Sequence, residues 1–226
     1  MKKLYMLLFM FLLIAPRVKA QDSTVRANVF AAGSFISGER SFTSSSGVFR
    51  TDYSKGGKIG AGVAVDLNDH WAGEGSYAFG RNSLRVNRLD APRPVRTFQT
   101  SLHQFTADGS YYFLPSGERW RPFLTAGLTL TRFSPTNEGA SRAAQNLFEL
   151  PTRISSSTKL GFNFGGGVEV PVNDSFGIRL ALRNHVMGLP RFGLPEKPLN
   201  PGGVSYPVSG IIQNLEVALG VVFYVR

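Results

Sequence analysis

The chain of 226 residues holds three histidines, His70, His103 and His185, and no cysteine. A serine becomes a nucleophile when an imidazole base lies within hydrogen-bond reach. Ser101 and His103 have a suitable spacing, because residues two apart share a face of an extended chain. Serine- and threonine-rich strands also produce such pairs by chance, so this pair assigns no catalytic site. His185 is followed by Val186-Met187 and has no serine partner. His70 sits beside Asn68-Asp69 at a tight turn, where it is expected to face solvent. Scattered histidines without cysteine give no metal-ligand spacing. The triple glycine Gly165 to Gly167 lies within an extended segment and opens no helix, so it is not a phosphate loop. No cofactor and no enzymatic activity are expected.

Charged residues form two groups. Glu74, Asp108, Glu169, Arg179, Arg183 and Glu216 lie in segments of alternating hydrophobicity, each on the face opposite the apolar one. A set of mixed sign suits a narrow polar interior, where opposite charges pair instead of standing alone at a desolvation cost. On a soluble barrel the same residues would form a solvated outer face. The second group is Arg81, Arg85, Arg88, Arg93 and Arg96, with Asp90 as the single acid among them. They are expected on a basic loop. Such a loop suits lipopolysaccharide phosphates, which arginine grips bidentately; an ordinary solvated loop is the alternative.

The elements that must position these groups are strands. Alternation with period two predicts eight: Thr24–Phe35, Lys58–Leu67, His70–Gly80, Phe98–Phe113, Trp120–Phe133, Lys159–Val170, Phe176–His185 and Ile211–Val225. Only the first alternates weakly. Short turns at Asn68-Asp69, Leu114–Arg119 and Asn173-Asp174 alternate with long connections, Ile36–Gly57, Arg81–Thr97, Ser134–Thr158 and Val186–Gly210. The fourth long connection carries Pro190, Pro195, Pro198, Pro201 and Pro207, which stiffen it. Glycines Gly60, Gly62, Gly161, Gly165 and Gly167 fall on the polar face, where they are expected to leave small water pockets.

The first twenty residues read as a secretory signal. Lys2 and Lys3 precede the apolar run Leu4–Ile14, and Val18-Lys19-Ala20 offers a cleavage site before Gln21. Residues 21–226 then form one domain. Removing Lys2, Lys3, Arg17 and Lys19 lowers the formal charge from +10 to about +6. This mild excess suits acidic lipid headgroups, and nucleic acid is not an expected partner. No later segment gives about 20 consecutive apolar residues. The exported chain is therefore a soluble domain or a closed barrel, since only helices and closed barrels satisfy their backbone in lipid.

Ten-residue strands and a long-short loop rhythm favour the barrel. The prediction is an all-β, eight-stranded antiparallel transmembrane up-and-down meander. Both termini lie on the short-turn, periplasmic side, and Trp71, Phe113, Trp120, Phe176 and Phe223 mark the aromatic girdle there. Eight strands leave an interior that side chains fill.

Several stretches resemble the small outer-membrane β-barrel domains of the OmpA-like group. Arg121 to Leu128 is similar to its fifth-strand opening, His103–Phe113 to its fourth strand, and Lys159–Arg179 to its sixth strand, turn and seventh strand. The resemblance implies an outer-membrane location, a monomer, and insertion by the barrel-assembly machinery. Members usually end on an aromatic, whereas this chain runs past Phe223 and Tyr224 to Val225-Arg226. The periplasmic cell-wall domain of OmpA itself is not expected. Some such barrels are lipid-modifying enzymes, and Ser101 with His103 would be the residues to test. The expected role is structural or surface-interacting, through the long loops. A narrow channel for ions or small solutes is the alternative, and a lipid-active enzyme a further one.

Overall fold

The computed structural model describes residues 24–38, 40–44, 47–88, 94–136, 155–192 and 210–225. The expected signal segment, the connection around Asp90 and Arg93, and most of the third and fourth long connections lie outside them.

Ten strands run in chain order: β1 (Val25–Ser37), β2 (Arg40–Ser44), β3 (Gly47–Tyr53), β4 (Gly56–Asp66), β5 (Trp71–Arg88), β6 (Pro94–Tyr112), β7 (Arg121–Pro135), β8 (Ser157–Pro171), β9 (Phe176–Gly188) and β10 (Ile211–Val225). All pairings are antiparallel. Eight strands close into a meander barrel, with β4 beside β1, β1 beside β10, and β5 beside β6. The wall is sealed where the first long strand meets the last, from Val25 opposite Val225 to Ser37 opposite Gln213.

The outer face is apolar. Ile59, Leu128, Leu160 and Leu219 are each more than half exposed, while Glu169, Asn163 and Asn214 are almost fully buried. A soluble barrel would turn its apolar face inward, so this inverted pattern excludes that alternative and fits a bilayer. The short turns are fixed by side chains. Asn68 accepts hydrogen bonds from the His70 and Trp71 amides, and Asn173 does the same for Ser175 and Phe176. These are Asx turns, which need a short side chain with an acceptor oxygen. Gly117 takes a positive φ of 96° in the turn after β6.

Two features differ from the sequence expectation. The first long connection contains a hairpin, β2–β3, whose second strand pairs with β5 from Tyr53 opposite Leu84 to Phe49 opposite Arg88. The second connection is far shorter than expected, because β5 and β6 continue past the membrane band as a paired ribbon. Arg81, Arg85 and Arg88 thus belong to β5 and Arg96 to β6, and Arg93 lies outside the described residues. Beyond the bilayer, lipid no longer enforces alternation, so the pattern fades while the hydrogen-bonded ladder goes on.

The barrel interior and its outer rim

The lumen is built in layers. At the short-turn end Arg26 of β1 donates to both oxygens of Glu169, at 2.9 and 2.8 Å. It also donates to Asp66 and, at 2.8 Å, to the Tyr112 hydroxyl. Tyr112 and Tyr224 each donate to Glu169 at 3.3 Å. The Arg121 guanidinium lies 4.1 Å from the Tyr112 ring centre, a cation–π contact that suits a sheltered arginine.

In the middle layer Glu74 of β5 sits between two arginines of β9. Arg179 donates to it at 2.8 Å and Arg183 at 3.2 Å. Arg183 also lies 3.6 Å from Asp108, which accepts from Asn163 at 2.8 Å. Above them Lys58 of β4 donates to Glu216 at 2.6 Å and to Gln104 at 2.8 Å. His185 is fully buried, with Gln104 and Glu216 beside it.

The structure thus places all six charges singled out from the sequence in the lumen, buried and in contact with opposite charges. Sequence reading missed Arg26, Lys58, Asp66, Arg121 and His185. The parity of Lys58 and Asp66, opposite Ile59 and Val65, was the available signal. Arg26 lies in the weakly alternating first strand. Among the described residues, five buried cations (Arg26, Lys58, Arg121, Arg179, Arg183) face five buried carboxylates (Asp66, Glu74, Asp108, Glu169, Glu216).

The lumenal glycines do not leave the expected pockets. The Phe30 ring occupies the space over Gly60. A Cβ on Gly167 would come within 2.8 Å of the Phe123 ring, and one on Gly165 within 2.8 Å of the Arg183 backbone. Phenylalanine rings use the missing methyls at Gly60 and Gly167, and backbone carbonyls of β9 crowd Gly161, Gly165 and Gly167. What remains among Asn28, Glu74, Arg179 and Arg183 is a cavity of about 20 Å³, room for little more than one water.

The long-loop end of the lumen is apolar, which the alternation did not predict. Ile36, Leu102, Phe133, Met187, Leu189, Phe192 and Ile212 form a buried cluster with Tyr53 against it. Phe192 holds a positive φ of 51°, unusual for a bulky residue. Its ring packs edge-on to Phe133, with centres 6.4 Å apart.

The serine–histidine pair is not assembled. Ser101 donates to the Ser134 carbonyl, and His103 Nδ1 pairs with the Tyr77 hydroxyl at 2.8 Å. Both residues lie on the lipid-facing side of β6. His70 is half-buried instead of solvent-facing. Its Nδ1 is 2.8 Å from the Tyr112 carbonyl and its ring stacks on Tyr111. Tyr111 in turn packs against Trp71 and Phe113, ring centres 5.1 and 5.4 Å away. Trp71, Phe113, Trp120 and Phe223 are outward and about half exposed, as a girdle at the membrane boundary requires.

Comparisons with known proteins agree with this architecture. The chain is similar in fold to the outer membrane protein OprG from Pseudomonas aeruginosa, at 12% identity and a TM-score of 0.57, over 90% of this chain and 96% of that one. It is similar to the outer membrane protein AlkL in lipid bilayers, at 13% identity and a TM-score of 0.58, over 90% of each chain. Neisserial surface protein A aligns over 90% of this chain and 99% of its own, at 18% identity and a TM-score of 0.45. No curated protein sequence matches the chain. The family model for the outer membrane protein beta-barrel domain matches residues 6–190. That match covers most of the chain, and the chain belongs to this family of outer-membrane barrels.

Proposed function

We propose that the protein is a non-conducting outer-membrane barrel whose work is done by what it presents at the cell surface. The supporting observation is the sealed lumen: paired charges fill three layers, an apolar cluster closes the outer end, and the cavity between them holds about 20 Å³. A channel needs a continuous wet path, and an apolar constriction opposes wetting.

The surface structure is the ribbon of β5 and β6 with the β2–β3 hairpin added to its edge. Its register puts Arg40, Thr51, Val86 and Arg96 in one cross-strand row, and Ser41, Arg50 and Asn87 in another. Arginines thus recur on a paired sheet, not on a loose loop. Arginines carried on hydrogen-bonded strands would meet an anionic partner at a lower entropic cost than arginines on an unpaired loop.

Planar-bilayer recording of the purified protein tests the first half. The expected trace has no discrete steps; reproducible steps in the wild type would replace this reading with the channel. Replacing residues 39–54 by a short turn tests the second. The barrel should keep its heat-modifiable gel band, while adhesion of expressing cells to anionic glycan surfaces falls. Unchanged adhesion removes the hairpin from the role.

A further inference from the structure

The charges outside the barrel behave differently from those within. Arg81 of β5 and Arg132 of β7 lie on the lipid-facing side and are exposed. Among the described residues neither side chain makes a hydrogen bond or ion pair. Their neighbours are fixed by register: Arg81 is opposite Ser101, Ser101 opposite Ser134, and His103 lies between Phe79 and Arg132. The two guanidiniums therefore flank Ser101 and His103, on the strands to either side of β6. From strand spacing and rise their Cα atoms are about 12 Å apart, a gap that two extended arginine side chains close from both ends.

Their height has chemical meaning. From the periplasmic ring of Trp71 and Tyr111, Arg132 is eight residues up β7 from the level of Leu124, and Arg81 ten residues up β5. With about 3.4 Å per residue and a strand tilt near 40°, these are roughly 20 and 26 Å above the ring. The apolar band of such barrels is about 25 Å tall. Arg81 and Arg132 thus straddle its outer edge, where the phosphates of outer-leaflet lipids lie. A cation on the lipid side is costly well inside the band, and an anion at its edge removes that cost.

A second observation lies beside the first. Beside Arg81, which is one of its lining residues, an open groove of about 580 Å³ crosses the outer faces of β5, β4, β1, β10 and β9. Its floor is Ala31, Gly33 and Gly57, and its walls include Ile59, Phe79 and Leu219. Small residues between large apolar ones make a shallow apolar depression across the wall, beginning beside a guanidinium that has no partner among the described residues.

We propose that this face is a binding site for lipid A. One phosphate bridges Arg81 and Arg132 over Ser101 and His103, and an acyl chain lies in the Ala31–Gly33–Gly57 groove. The site rests on the long-loop end of the barrel facing outward, and not on the lumen being closed. An ordinary phospholipid offers one phosphate and two chains. Lipid A, with its two phosphates and several chains fixed to one rigid headgroup, can hold the cationic clamp and the groove together.

The test uses the full protein, purified free of lipopolysaccharide in neutral detergent. Diphosphoryl lipid A, monophosphoryl lipid A or phosphatidylglycerol is added as mixed micelles, and binding is read as the rise in the temperature at which the folded gel band is lost. Diphosphoryl lipid A should raise that temperature most, and phosphatidylglycerol little. The double variant R81A/R132A should bind diphosphoryl lipid A about tenfold or more weakly, as expected for losing two charge-assisted contacts. R81K/R132K, which keeps charge but not the bidentate grip, should fall between. Gly57→Leu places a side chain in the groove where a Cβ has room; it should weaken lipid A while leaving the folded band unchanged without lipid. Equal responses to phosphatidylglycerol and lipid A, or full lipid A binding by R81A/R132A, would overturn the assignment. Full binding by Gly57→Leu would remove the acyl groove from it.

Discussion

Arg26 and Arg132 are both arginines on barrel strands, yet their circumstances are opposite. Arg26 is 1% exposed and touches two carboxylates and a tyrosine. Arg132 lies on the outer wall without a side-chain partner among the described residues. The difference shows that this fold uses charge for two purposes. Inside, charge fills a space that water would otherwise occupy, and each group is committed to another part of the same chain. Outside, Arg81 and Arg132 have no side-chain partner among the described residues. Stability and recognition are therefore separable here, and substitutions at the two places should report on different quantities.

The largest effect is expected from Arg26→Ala. It strands Glu169 and Asp66 together in the lumen. Removing one partner of a buried pair costs about 3–5 kcal/mol, so urea unfolding in detergent should show a loss of that order. A loss below about 1 kcal/mol, the range of an exposed pair, would mean that the lumen is wetter than its geometry. Arg179→Ala and Arg183→Ala come next. Each leaves Glu74 with one arginine, and the cost should be about 1–3 kcal/mol, that of a buried acceptor losing one donor. Their double variant should exceed the sum of the two, since it alone leaves Glu74 bare. Unchanged melting in both single variants would show that the middle layer is not a coupled network. Gly167→Ala should cost a comparable 1–3 kcal/mol by overpacking against the β9 backbone at Leu180 and then the Phe123 ring, visible as a lower band-loss temperature. The smallest effect is expected from R81A/R132A without lipid, within about 0.5 kcal/mol of wild type as for ordinary surface sites. A large loss there would erase the contrast between wall and lumen.

Much of this was legible from the residues. The eight long strands alternate because lipid and lumen impose opposite demands on successive side chains, and Ile59 through Val65 carry that alternation plainly. Where the demands end, so does the legibility. Arg40–Tyr53 contributes β2 and β3 in water, with no membrane face to keep, and its mixed residues read as a loop. For the same reason Arg85 and Arg88 read as loop although their backbone is paired. The apolar cluster of Leu102, Phe133, Met187 and Ile212 was hidden by a rule that made the lumenal face polar throughout. The buried pairs were hidden by distance along the chain: Arg26 meets Glu169 across 143 positions, and Lys58 meets Glu216 across 158. Sequence parity can place each charge in the interior, but only the curvature of the closed wall decides which ones meet.

The seam between β1 and β10 also has a kinetic consequence. It joins residues 200 positions apart, Val25 to Val225, whereas β5 and β6 are separated by only five residues and form the longest ladder. Closing a long loop is slow and its entropy is recovered late. The β5–β6 hairpin should therefore zip first and the seam last. Weakening Gly73 or Gly109 in the hairpin would slow folding, while weakening Val29 or Val221 at the seam would chiefly hasten unfolding. The last contact to form would then be the first to open, setting how long a folded molecule survives in the membrane.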